Sequence, residues 1–209
     1  MKSLNYLLLG ILLTSFAAFA AQKILISPAD YYRFEDWVGE YPGGFEILKP
    51  IGINTVLDPE NPILGDQCVL QEKTVIHPWA VKTRSEFVTL SPVIYFIAKT
   101  HFELQATDGR YLLHVYEGNS FIQLTDLAEG LCLFSVNDQL AEGACLGTKD
   151  ERGRAIKMSP MERREYFKTS CGDGRVAWID ARSLYQLLSE KNPAIKEAQI
   201  LDYGAVKEP

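Results

Sequence analysis

Few residues of this chain have the types and spacing to carry chemistry. Cys68, Cys132, Cys145 and Cys171 are separated by steps of 64, 13 and 26 residues, and the histidines stand at 77, 101 and 114. A nucleophilic thiolate needs an imidazole beside it on a catalytic domain of its own. Only 47 residues, from Ala21 to Gln67, precede Cys68 in the mature chain, too few for a papain-like core. Structural zinc needs close-set pairs of the C-x-x-C kind, which are missing here, so neither a metal nor a cofactor is expected. His77 precedes a proline, and His101 and His114 alternate with apolar neighbours, as surface or rim histidines do. Carboxylates that cleave glycosides face each other across a cleft, whereas Glu35 and Asp36 are adjacent and read as one solvated face. No G-x-S-x-G, H-E-x-x-H or glycine-rich phosphate loop occurs. Catalysis is not expected.

The N-terminus sets the compartment. MKSLNYLLLGILLTSFAAFA has a charged start at Lys2, an apolar run from Leu7 to Leu13 and a small-residue ending at Ala18-Phe19-Ala20. This is the pattern of a secretory signal peptide over 1–20, with Ala21 as the first mature residue. The stretch from Leu4 to Ala21 is 18 residues and is diluted by Gly10, Thr14 and Ser15, so a retained membrane anchor fits less well. No cysteine follows the small residues, which argues against a lipid anchor. Export to the periplasm or beyond is expected, with no stable membrane insertion after cleavage. The leader removes one lysine and no acid, leaving 20 basic against 27 acidic residues. Such a chain is repelled by nucleic acid and anionic lipid. In an exported protein, four cysteines read as two disulfides with three possible pairings.

The elements that would position these residues are mostly short strands. SPADYYRFEDWVGEY predicts a helix from Ser27 to Gly39, with Tyr31, Phe34 and Val38 on one face. Between Pro and Gly breakers, short strands are expected near Phe45–Leu48 and Ile53–Leu57. After Asp66 come strand-like runs, with turns at Asp108-Gly109 and Gly118-Asn119. Val93 to Thr107 reads as one long strand, with Ile94, Phe96, Ala98, Phe102 and Leu104 on its buried face. CLFS at 132 echoes CVLQ at 68, and YFKTSCGDGRVAWIDARSL echoes YLLHVYEGNSFIQLTDL, which points to tandem modules. SPMERREYF suggests a helical turn. The tail predicts a helix up to about Lys191, then a second helical piece carrying Ile195, Ala198 and Ile200.

DGRVAWIDARSL resembles the ending of bacterial SH3-like (SH3b) modules: a DG turn at Asp173-Gly174, a strand over Val176–Ile179 and a closing turn from Ala181 to Leu184. GNSFIQLTDL is similar in shape. Ala177 replaces the usual glycine, and the first unit has Gln123 where a tryptophan is expected. The resemblance implies a mainly β protein with short helices, built as two small SH3-like β-barrels in tandem at 68–127 and 132–184. A helix-containing segment at 21–67 would precede them and a helical tail at 185–209 would follow. It also implies an exported, non-catalytic binding protein for cell-wall (peptidoglycan) peptide or another envelope protein. Trp178, Tyr166 and Arg175 would line one groove and Trp79 the other. Because the terminal strands of such barrels lie together, it favours Cys68–Cys132 and Cys145–Cys171. The alternative is an exported hydrolase acting on the cell envelope, with a histidine meeting a carboxylate or hydroxyl between the N-terminal segment and the first barrel.

Overall fold

The computed structural model describes residues 30–35, 44–77 and 87–198. The expected signal peptide and Trp79 lie outside these residues. The protein is mainly β, as its strand-like runs predict. The strands in chain order are β1 (Tyr31–Phe34), β2 (Phe45–Ile47), β3 (Ile51–Ile53), β4 (Cys68–Leu70), β5 (Val75–Ile76), β6 (Phe87–Pro92), β7 (Ile94–Ala98) and β8 (Phe102–Ala106). They continue with β9 (Leu112–Val115), β10 (Ser120–Asp126), β11 (Leu131–Val136), β12 (Gln139–Ala144), β13 (Gly153–Met158), β14 (Arg164–Ser170) and β15 (Val176–Asp180). Helix α1 (Ala181–Ser189) and β16 (Ile195–Glu197) complete the described chain.

Seven consecutive strands, β7 to β13, form one sheet in the order β13-β7-β10-β11-β12-β8-β9. The strands flanking this block, β6 and β14, pair with each other, Val88 opposite Tyr166 and Phe87 opposite Phe167. They belong to a second sheet ordered β1-β6-β14-β15. Residues 94–158 are therefore inserted between two neighbouring strands. Strands from the expected units 68–127 and 132–184 share both sheets, so two tandem barrels are not what the pairing shows. The repeat that suggested them does not match in pairing either. β14 and β15 form a hairpin, whereas β9 pairs with β8 and β10 with β7 and β11.

The seven-stranded sheet has to curl. β7 and β8 lie four strand spacings apart in the sheet order, about 19 Å if flat. Only Lys99, Thr100 and His101 join them, and that link spans at most about 14 Å. The sheet accordingly wraps into a half-barrel around Phe96, Leu104, Phe121 and Phe134. The single long strand expected from Val93 to Thr107 is thus two strands joined at a corner. Its parity survives the bend, because Phe96, Ala98, Leu104 and Ala106 are all buried.

A second core gathers Phe45, Ile47, Leu70, Phe87, Phe167, Ile179 and Leu184 from β2, β4, β6, β14, β15 and α1. Two small sheets close it, β16-β2-β5 and β3-β4. The Ser91 and Thr125 hydroxyls, 2.6 Å apart and buried, join the four-stranded sheet to the half-barrel. Both disulfides correct the favoured pairing. Cys132 and Cys145 lie at one end of the β11–β12 hairpin with Cα atoms 4.9 Å apart, so they bond to each other. Cys68 bonds Cys171, 103 residues away, across the inserted block.

Three helix expectations also change. Tyr31–Phe34 is a strand, because alternate side chains serve two surfaces: Tyr31 packs with Leu90 and Tyr166, while Tyr32 packs with Leu124 and Leu133. Ser159 to Arg163 holds no helical turn and leads directly into β14. Past the Asn192-Pro193 break, Ile195–Glu197 pairs with β2 as a strand. The expected tail helix is present as α1, which Asp180 caps by accepting from the Arg182 backbone N–H.

Candidate functional site

The expected groove residues fall on the β14–β15 hairpin, whose turn is the anticipated one. Gly174 has φ of 82° there, a conformation that suits glycine, and its N–H donates to the Cys171 carbonyl at 2.9 Å. Tyr166 and Trp178 project from the same face of the sheet, since Lys168 stands opposite Trp178 and Tyr166 opposite Asp180. The structure brings these two residues into one cluster with Tyr31, Val56, Val88 and Leu90. Tyr166 is only 1% exposed, so it serves as a wall rather than a contact surface. Burial pushes its phenol above the usual range. Trp178 is half-buried, and the Lys168 ammonium lies 5.7 Å from its ring centroid, a cation–π distance.

Arg175 does not join the pair. Its Nε donates to Asp173 at 2.7 Å, Nη1 to the Asp66 carboxylate at 3.2 Å and Nη2 to the Gln67 carbonyl at 3.0 Å. It clamps the turn to the chain entering Cys68, next to the Cys68–Cys171 bridge. All five guanidinium hydrogens sit in a rigid fork, and these three partners use it as a brace.

Residues 54–66 build the rest of the surface, and the sequence reading missed them. The Val56 backbone N–H donates to the Trp178 carbonyl at 2.9 Å, and Leu57 N–H donates to the Ile63 carbonyl at 3.1 Å. Val56 bridges both Trp178 and Leu64. The loop is also tied down at its tip, where Arg33 Nη1 meets Glu60 Oε1 at 2.9 Å. Fixed this way, Val56 covers the tryptophan cluster, but Leu57, Ile63 and Leu64 are 70%, 57% and 74% exposed. Leu57 stands opposite Ile63 and shares its face, while Leu64 stands opposite Val56 on the other face of the loop. Single exposed aliphatic residues are ordinary, but one short loop that leaves three uncovered is not. The available signal was NPILGD at 61–66, an apolar pair between breakers with no strand long enough to bury it.

No family model, curated protein or solved structure matches this chain. The surface has to be judged on its own chemistry. It offers aliphatic area, one half-covered indole and a cation over that indole. Among the described residues it holds no histidine, and its two tyrosines, Tyr31 and Tyr166, are buried. His77, one of the three histidines within 68–127, is 3% exposed.

Proposed function

We propose that this is an exported binding protein that engages another protein of the cell envelope through the apolar loop beside Trp178. The observation that carries the reading is the exposure of Leu57, Ile63 and Leu64 on a loop held firmly against the tryptophan strand. A polar wall peptide would gain little from three aliphatic side chains. A partner that buries them gains about 1.5–3 kcal/mol for each fully covered residue. Two disulfides suit an oxidising compartment, and among the described residues no helix is long and apolar enough to cross a membrane.

We also read the SH3-like resemblance in a revised form. The β14 strand, the Asp173-Gly174 turn, β15 and α1 keep the order of an SH3b ending. Strands β2 to β6 contribute side chains to the same core. On this reading there is one small barrel, interrupted by the half-barrel, and Cys68–Cys171 ties its two pieces.

The test is retention of the oxidised protein by purified cell envelopes, by the same envelopes stripped of protein with protease, and by protein-free peptidoglycan sacculi. Retention is expected on intact envelopes only. It should weaken by about tenfold or more when Leu57, Ile63 and Leu64 are changed to serine, because loss of a binding hot spot commonly costs 1–2 kcal/mol or more. Retention by bare sacculi that falls with Trp178→Ala would replace the protein partner with wall peptide. Retention by none of the three would overturn the proposal.

A further inference from the structure

On the far edge of the half-barrel, the β8–β9 hairpin places His101, Glu103, His114 and Tyr116 on one exposed face. Glu103 stands directly opposite His114 in the strand register. His101 and Tyr116 follow at the next position of the same parity, just beyond the two strand ends. His101 Nε2 lies 3.3 Å from His114 Nδ1, and His114 Nδ1 lies 3.2 Å from Glu103 Oε1. The ligand atoms of all three residues fall within 4.8 Å of one another. The rings are stacked: His101 and His114 are 5.5 Å apart at 14°, and Tyr116 lies 5.0 Å from His101 at 22°.

One nitrogen facing both an imidazole nitrogen and a carboxylate oxygen is poorly served by hydrogen bonding alone. If His114 Nδ1 carries a proton, a single hydrogen is shared between two acceptors or points at one of them. If it carries a lone pair, it confronts the carboxylate. A cation at the common focus receives a lone pair from each. The spacing fits as well: donors at about 2.0–2.1 Å from a tetrahedral zinc ion lie about 3.3–3.4 Å apart, close to the two distances observed.

We infer that His101 Nε2, His114 Nδ1 and the Glu103 carboxylate bind one divalent transition-metal ion of the zinc, copper and nickel class. Two imidazoles select against calcium and magnesium, which take oxygen ligands. Three protein ligands leave at least one coordination position for water or for a group from outside. Tyr116 is a positioning residue whose ring holds the His101 plane. The frame is rigid because Leu104 and Val115, on the opposite face of the same hairpin, are locked in the half-barrel core. The site is independent of the loop beside Trp178, and its test does not depend on that surface binding anything.

The experiment is calorimetric titration of zinc chloride into the untagged, oxidised, full-length mature protein in a non-coordinating buffer. One ion per chain is expected. His101→Ala and His114→Ala should each weaken uptake by at least about tenfold, as removal of even an indirect metal partner commonly does. Glu103→Gln should also weaken it, and a hundredfold excess of magnesium should not displace zinc. In the native protein, the ring signals of His101 and His114 should shift on adding zinc while those of His77 do not. Absence of saturable uptake would overturn the inference. So would uptake unchanged in both histidine variants, or zinc shifts confined to other residues.

Discussion

At the scale of single residues, His77 sets an acid limit on stability. A Cβ placed on Gly44 would come within 2.4 Å of its ring, so the imidazole is packed directly beneath the backbone there. Burial lowers its pKa to about 4, while the unfolded chain binds the proton near pH 6.5. The unfolded state therefore takes up more protons between those values, and stability falls as the pH drops through that window. The contribution is fully present above about pH 6.5 and lost by about pH 4, on the order of 3 kcal/mol in all. Denaturant unfolding of the native protein and of His77→Gln at pH 7 and pH 4.5 checks this. The variant should lose distinctly less stability on acidification; equal losses would contradict the burial account. In the sequence, His77 read as a loop residue before Pro78, because composition and spacing say nothing about what packs above a ring. Tyr166 and Trp178 were legible as neighbours, since a hairpin turn puts alternate residues of both strands on one face. That Tyr166 is buried was not legible, because the segment covering it, Val56 with Tyr31, lies over a hundred residues earlier.

At the scale of elements, turns were legible and strand partners were not. The Asp108-Gly109 turn sets the β8–β9 register, and counting outward from it pairs Glu103 with His114. The metal focus could have been found by that arithmetic, although the two histidines have no ligand-like spacing along the chain. The corner at Lys99–His101 was hidden for the opposite reason: the apolar alternation continues through it unchanged. Strand β1 defeated the helical reading because Tyr31, Tyr32 and Phe34 suit either period, and pairing with β6 decided the outcome. The disulfides act on elements of very different reach. Cys132–Cys145 closes a hairpin, whereas Cys68–Cys171 closes a 103-residue separation. Loop-closure entropy gives roughly 3 kcal/mol for the short one and about 4–5 kcal/mol for the long one. Denaturant unfolding of Cys68→Ala/Cys171→Ala and Cys132→Ala/Cys145→Ala should rank the long bridge as the costlier loss. The reverse order would show that loop-closure entropy does not set the contributions of these two bridges.

At the scale of the whole molecule, the chain builds one small β unit in two instalments and places a curled seven-stranded sheet between them. The arrangement explains why the repeat signal misled. Cys68 opens β4 and Cys132 is the second residue of β11, but Cys68 belongs to the interrupted unit and Cys132 to the insertion. Long-range strand pairing depends on contacts that periodicity cannot assign, and here β6 and β14 meet across the entire inserted sheet. The mainly β class, by contrast, follows from alternation and turn residues that any reading of the chain would see. The interrupted unit presents the loop beside Trp178, and the insertion presents the His101–Glu103–His114 face. Two separate surfaces suit a protein that binds a partner and an ion independently. All of this rests on which cysteines are joined. The most direct measurement is disulfide mapping: proteolysis of the oxidised protein without reductant, followed by mass spectrometry of the linked peptides. Peptides joining Cys68 to Cys171 and Cys132 to Cys145 are the expected result. Peptides joining Cys68 to Cys132 and Cys145 to Cys171 would contradict the interrupted fold and restore two tandem modules.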